Sequence, residues 1–429
     1  MRKLVPLFHW TYRKQKRICG KLFACLLVLT MQTVYVKLSG APWDIVLNFL
    51  LLCTGLVLVC DSNIIISKYT LYIICISIAL FMLIPLCHMF FLNGTSVNYS
   101  ALILITMMCT VLFTICVIYI SSVGIKRFLD EIADVIVFFT TTSLFLYFVG
   151  QVFHIIKPTN VVSFEWGGRQ TTNSYFYLLF TPQAQTAYHS FKNGRFTGIF
   201  TEAPMCAFVL CAALIIILFV SDRTVCLSSV VILCIGIYAT VSTTGYIVAL
   251  LSLGAYVFML KPASKQMQYA RILLSSILFV VLLYVVFSLY QEKTHADVGS
   301  VSIRSNNYEN AILNFYASPI YGLGFKSDAI GVTGGNTSVY SSVLQQGGLL
   351  FACWYFTPML LSILKAIRIG VWRYAIALTL YAVLMYATVV TYTGFSIAIV
   401  AVCWVALIPA KEKTSSATHR MKISVAQQR

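Results

Sequence analysis

The sequence predicts an all-α, polytopic integral membrane protein with about twelve transmembrane helices and two long extracytoplasmic loops. Three observations carry that prediction. Of 429 residues, 59% are hydrophobic and only 10% are charged, against about 25% charged in an ordinary soluble domain. Mean hydropathy is +0.87. Apolar runs of membrane-spanning length, roughly 20 residues each, recur along the whole chain. This excludes a soluble globular protein and makes 1–429 a single transmembrane domain.

Read in windows of about 19 residues, the spans fall near 20–36, 44–60, 69–92, 100–122, 132–156, 203–220, 224–241, 243–260, 270–290, 347–364, 372–389 and 391–409. Tight turns near Ser242 and Val390 separate two of the pairs. Met1 to Lys21 carries seven basic residues and no acid, and the apolar run behind it has no small-residue cleavage site. That pattern marks a cytoplasmic basic N-terminus (1–21) leading into an anchor that is retained. Leu4, Val5, Leu7, Phe8 and Trp10 suit the interface. With the N-terminus inside and twelve spans, only Lys37, Lys157, Arg169, Lys192, Arg195, Lys293, Arg304 and Lys326 fall outside. The excess of Lys and Arg inside fits the positive-inside rule, with both termini cytoplasmic and 410–429 a basic tail.

Thirty Lys and Arg against thirteen Asp and Glu give a formal charge of +17. The basic residues are scattered in short clusters, so no patch tracks a phosphate backbone and nucleic acid is not an expected partner. All fourteen cysteines lie in or beside apolar runs and form no CxxC pair, which reads as core thiols with neither a disulfide framework nor a zinc site. Asp134, Gln151, His154 and His88 lie near span ends, as satisfied interfacial groups do. Thr240, Ser242, Thr243 and Thr244 read as hydroxyls bonded to backbone carbonyls. No chain of Asp, Glu or His runs through the spans as a proton relay would, which counts against a coupled transporter.

The topology leaves two long polar segments outside, 157–201 and 291–346. Loops this long in a compact protein are functional or disordered, and the first holds Trp166, Tyr175, Phe176, Tyr177, Tyr188, Phe191 and Phe196. It ends Arg195-Phe196-Thr197-Gly198-Ile199-Phe200-Thr201-Glu202-Ala203-Pro204. Pro204 suits a first helical turn and Glu202 the positive end of a helix dipole, so this segment reads equally as a helix start. The alternative places Arg195 to hold an anion and Glu202 to orient or deprotonate a hydroxyl. The second loop runs from Arg304 through Glu309 to Pro319-Ile320-Tyr321-Gly322-Leu323-Gly324. Ala311, Ile312, Phe315 and Tyr316 recur at helical spacing, which predicts a short amphipathic helix on the outer face, begun by Arg304 and stopped by Pro319. An Arg at a helix N-terminus gains nothing from the dipole, which favours a ligand role for it. The Gly-x-Gly follows no strand, so it fails the context of a dinucleotide fingerprint. Gly334 to Gly348, rich in small and hydroxyl residues, leads into the tenth span. Asn336-Thr337-Ser338 and Asn93-Gly94-Thr95 are formal glycosylation sequons.

Twelve spans, Arg-x-x-Gly-x-x-x-Glu before a span, and Arg, a helical stretch, Pro-x-x-Gly-x-Gly and an Asn-containing stretch before another together resemble the bacterial O-antigen and capsular polysaccharide polymerases, in the superfamily that includes the O-antigen ligases. The motif match covers about 195–348. Arg195, Gly198 and Glu202 occupy the first motif, with Ala203 where the family often has Pro; Arg304, Pro319, Gly322 and Gly324 occupy the second. Gly335 stands before Asn336 where ligases typically carry His, which favours a polymerase.

The resemblance implies a GT-C-like membrane glycosyltransferase in the bacterial cytoplasmic (inner) membrane. Its donor would be a glycan on undecaprenyl pyrophosphate and its acceptor a hydroxyl of another lipid-linked repeat unit. A chain-length regulator and a flippase would be possible partners. Holding pyrophosphate asks for forked, permanently charged donors, which points to Arg304 and Arg195, with Arg169 or Lys192 assisting. Glu202 is the first candidate base, ahead of Glu309 and His295; Asn336 is a further substrate contact. Tyr175, Tyr177, Tyr188 and Trp166 are candidates to stack on sugars. The loops show no acidic cluster for a divalent ion, so no metal and no cofactor are expected. The alternatives are a ligase, a lipid-linked oligosaccharide flippase or other transporter, and a membrane scaffold. A flippase needs its basic residues along the spans, and a scaffold has no use for long aromatic loops.

Overall fold

The computed structural model describes residues 18–40, 42–60, 66–91, 106–166, 168–183, 194–260, 264–295, 299–324, 338–386, 388 and 390–409. Its helices, in chain order, are α1 (Ile18–Leu29), α2 (Val34–Lys37), α3 (Trp43–Cys60) and α4 (Lys68–Phe91). Then follow α5 (Met108–Val123), α6 (Ile125–Val152) and α7 (Ala203–Val220), each with a π-helical segment at one end. The rest are α8 (Leu227–Ala239), α9 (Thr243–Met259), α10 (Lys265–His295), α11 (Gly299–Ala317), α12 (Val339–Arg368), α13 (Trp372–Tyr386) and α14 (Gly394–Ala406).

Among the described residues, α3, α4, α6, α7 and α12 are long and apolar enough to cross a membrane; α1, α5, α8, α9 and α14 are shorter apolar helices. The protein is therefore a helical membrane protein. α7 is its centre. In its most apolar window 89% of the helix is buried, and Phe208 packs edge-on to Tyr381 of α13 and Phe395 of α14. Close approach there depends on small residues: a Cβ on Gly245 of α9 would stand 3.0 Å from that of Ala207.

Three expectations need correction. The first apolar run is not one helix. It breaks between Leu29 and Val34, where Gln32 takes a left-handed φ of 43° and Thr33 bridges to Phe200. The chain is also not wholly α. A three-stranded antiparallel sheet, β1 (Asn160–Glu165), β2 (Arg169–Tyr175) and β3 (Leu179–Phe180), occupies the first part of what was read as the first loop. Its register pairs Asn160 with Ser174 and Glu165 with Arg169. β-branched pairs, Val161-Val162 and Thr171-Thr172, favour the strands, and Gly168, at φ 117°, makes the turn between them. Finally, α11 begins at Gly299, so Arg304 lies more than one turn inside it and not at its start.

The sheet lies at one end of the bundle. α6 carries 28 residues, about 42 Å of helix, between that end and the opposite one. At the opposite end Arg223 bonds Asp134 at 2.9 Å and Asp130 at 3.3 Å. Arg127 reaches Glu131 at 3.1 Å, and Tyr119 donates to the same carboxylate at 2.9 Å.

Candidate functional site

The Arg195–Glu202 segment is held at the sheet end by three separate elements. Phe196 N–H donates to Ala239 O at the end of α8, Phe180 N–H of β3 donates to Gly198 O, and Val34 N–H of α2 donates to Ile199 O, each at 2.9 Å. The Thr201 hydroxyl adds a bond to Gln32 O at 3.1 Å, and Thr197 donates to Phe180 O at 2.7 Å. Gly198 sits at φ 56°, a left-handed conformation that costs other residues about 1–2 kcal/mol. The glycine of the motif thus spares the backbone that strain.

Arg195 itself closes the end of α8. Its Nε donates to Thr240 O at 2.8 Å and a terminal nitrogen to Val241 O at 3.2 Å. A cation that satisfies the last carbonyls of a helix also complements its dipole. The structure thus places Arg195 on backbone carbonyls, where the sequence reading had expected an anion.

Glu202 is the residue before α7, with extended backbone, and its side chain makes no capping bond. It accepts instead from Trp166 Nε1. The first N–H of α7, on Ala203, donates to Gln183 Oε1 at 3.2 Å. A proline at 203 would have no N–H to give, so alanine at this position is what allows the bond. The Trp166 ring lies under Lys37, whose Nζ is 5.9 Å from the ring centroid. Lys37, Trp166 and Glu202 come from α2, the β1–β2 turn and the head of α7, and they form one half-buried cluster. Nothing in the sequence joined Lys37 to it except its place among the few basic residues outside the spans.

The remaining candidates separate. Tyr175 is buried, its ring against Gly150, where a Cβ would come within 2.5 Å of it; burial pushes its phenol up from the ordinary value. It is a packing residue, not a free stacking face. Tyr177 and Phe176 are exposed, both left-handed at φ 57° and 52°, and the Tyr177 carbonyl accepts from Tyr35. Arg169 is exposed at the start of β2, across from Glu165. Arg304 and Glu309 are both on α11, and Glu309 is exposed. Lys192, Tyr188 and Asn336 lie outside the described residues.

The second motif has a structural account that sequence reasoning missed. α12 is broken at Gly348, which has φ 58° and ψ −158°. A break leaves carbonyls and N–H groups without helical partners, and the Pro319–Gly324 loop supplies them. Leu323 and Gly324 N–H donate to Gln345 and Gln346 O at 2.9 and 3.1 Å; Leu349 and Leu350 N–H donate to Pro319 and Ile320 O at 2.8 and 3.0 Å. A Cβ on Gly322 would meet the Gln346 backbone at 2.4 Å, and one on Gly348 would meet Gly322 N at 2.6 Å. These glycines allow two backbones to touch; they do not cradle phosphate. The signal was the Gly347-Gly348 pair inside an apolar run.

A cavity of about 580 Å³, lined among others by Lys126, Arg127, Asp130, Asp222 and Lys365, lies at the opposite end of the bundle. The length of α6 separates it from Glu202, so it is no part of this site.

Fold and site together define a multi-helix membrane protein with a hydrogen-bonded polar site at one end of its bundle. Residues 228–349 match the family described as O-antigen ligase, which supports the O-antigen polymerase and ligase superfamily expected from the motifs. The matched segment runs from α8 through α11 to the break in α12. No curated protein matches the chain.

Proposed function

We propose that the protein is a membrane glycosyltransferase that polymerises undecaprenyl-pyrophosphate-linked oligosaccharide repeat units into O-antigen or capsular polysaccharide. It acts at the outer face of the bacterial cytoplasmic membrane, with twelve spans and both termini inside. The observation that carries this reading is the family match over 228–349, which takes in Arg304 and the docked Pro-x-x-Gly-x-Gly loop.

In this reading an acceptor hydroxyl attacks the anomeric carbon of the donor glycan. The bond from that carbon to the pyrophosphate oxygen breaks, undecaprenyl pyrophosphate leaves with the electron pair, and the hydroxyl proton passes to Glu202. Trp166, donating to Glu202, sets the direction of the carboxylate. Arg304 holds the pyrophosphate, since a guanidinium forks onto two oxygens, with Arg169 and Lys37 adding positive charge. Arg195 keeps the Glu202 segment in register.

The test is the polysaccharide ladder made by cells carrying Arg304→Ala or Arg304→Lys at normal membrane levels. Loss of long chains with single repeats retained supports polymerisation, and failure of Lys to substitute supports forked phosphate binding. Single repeats trapped on the cytoplasmic side would instead identify a flippase. The family's own description favours a second reading, a ligase; full-length glycan left on its lipid carrier in the variants would identify it.

A further inference from the structure

α11 carries its polarity the wrong way round for a helix packed on a protein in water. At about 100° per residue, Asn307, Asn310, Ala311, Asn314 and Ser318 fall within roughly 100° of arc. That arc faces the protein: Asn307, Ala311 and Ser318 are 5%, 4% and 4% exposed. The opposite arc holds Ile312, Leu313 and Tyr316, which are 49%, 66% and 73% exposed. Exposed apolar residues on a membrane protein meet lipid, and an amphipathic helix so placed lies in the interface plane. Two polar atoms on its inward side then need a polar occupant. Asn314 Nδ2 and Ser318 Oγ are buried without a hydrogen-bond partner, a condition folded proteins rarely leave unanswered.

α11 also sits at the sheet end. α9 starts there, beside the carbonyls that Arg195 holds; α10 returns from the opposite end, and the Pro319–Gly324 loop then docks onto the break in α12.

We propose that the inward face of α11, formed by Asn307, Asn310, Asn314 and Ser318, is a saccharide subsite that holds the glycan of the lipid-linked substrate. The proposal rests on the glycosyltransferase reading above. Arg304 falls beside this stripe by helical spacing and is the one charge there, left for pyrophosphate in the reading above; beyond it the stripe is uncharged, and an amide offers both donor and acceptor to the paired hydroxyls of a sugar. The helix thereby divides the substrate: lipid on its outer face, sugar on its inner face.

The experiment uses full-length protein in nanodiscs and lipid-linked saccharide extracted from the host's own membranes. A photo-crosslinking amino acid at Asn310 is expected to capture a sugar-bearing adduct, and one at Leu313 only phospholipid. Phospholipid alone at Asn310, or sugar at Leu313, would overturn the proposal. Asn310→Ala and Asn314→Ala are each expected to raise KM for the lipid-linked saccharide about tenfold, the factor one neutral hydrogen bond is worth. Their kcat should stay within about twofold and Leu313→Ala should leave KM unchanged; an unchanged KM in both Asn variants would also overturn it. If the wild-type protein transfers no sugar, the glycosyltransferase reading fails, and the crosslinks still decide whether α11 touches glycan.

Discussion

Gly348→Ala tests the docking of the second motif onto α12. The new Cβ would lie 2.6 Å from Gly322 N and from the Ile320 carbonyl carbon. All of these are main-chain atoms and cannot swing aside as a side chain can. The substitution also places alanine at φ 58°, which costs about 1–2 kcal/mol for a residue with a Cβ. If the loop gives way, four backbone bonds between Pro319–Gly324 and Gln345–Leu350 are lost, each worth about 1 kcal/mol net. The expected loss is therefore about 5–6 kcal/mol if all four bonds go, against about 1–2 kcal/mol for the conformational cost alone. Gly370→Ala is the matched control. It is left-handed at φ 74° but has no atom within 4 Å of its Cβ position, so only the conformational cost applies. Thermal unfolding of both variants in detergent should show Gly348→Ala losing at least twice as much Tm as Gly370→Ala, and only Gly348→Ala should lose the long-chain glycan ladder. Equal Tm values for the two would refute the reasoning, since backbone contact is all that separates them.

Trp166→Phe keeps a ring beneath Lys37 but removes the donor to Glu202; transfer should slow at least tenfold while Tm moves little, which separates orientation of the carboxylate from folding. Arg195→Lys cannot reach two carbonyls with a fork, so it should lower stability by about 1–2 kcal/mol and weaken protection of the Thr240 and Val241 region in hydrogen exchange. Replacing Phe176 and Tyr177, both left-handed, by glycine should gain about 1 kcal/mol per site in backbone terms; a simultaneous rise in KM would show that the exposed rings meet sugar. Arg223→Ala leaves Asp130 and Asp134 without their shared partner, and should cost about 1–2 kcal/mol, less at high salt.

The helices were legible because hydropathy over about 19 residues reports the solvent they face, and each of the twelve apolar segments overlaps a helix. The sheet was not. Its strands are short, and aromatic density drew the reading toward a binding loop. Val161-Val162 and Thr171-Thr172 on either side of Trp166-Gly167-Gly168 were a hairpin signal all the same. Of the site, Glu202 at the head of a helix could be read from Pro204 and the polarity change around it. Its partner could not, because Trp166 arrives through strand pairing across the fold. Arg195 shows the same limit: no local pattern says that a loop arginine closes a helix whose end lies 45 residues later. Helical spacing grouped Ala311 with Ile312, Phe315 and Tyr316, yet Ala311 is buried while Ile312 and Tyr316 are exposed, since spacing shows that a helix is amphipathic but not which face meets lipid.

The two ends of the bundle are fastened by different forces, and that difference bears on which end does chemistry. Opposite the sheet, α1, α6 and the α7–α8 connection are joined through side-chain charges: Lys21 and Arg223 on Asp134, Arg223 on Asp130, Lys126 on Asp222. Half-exposed ion pairs of this kind weaken with salt and protonation. At the sheet end, the connections among α2, β3, α8 and the Glu202 segment, and between the Pro319 loop and α12, are mainly main-chain hydrogen bonds. Those bonds do not titrate. If the proposed function holds, a site that binds and releases a multiply charged substrate gains from such a frame, because the incoming charge cannot compete for the interactions that hold the site together. Arg195 follows the same rule, since its partners are carbonyls and not carboxylates. Glu202 likewise accepts from an indole, a donor that does not titrate, and in the proposed reading it is the group that takes the acceptor's proton.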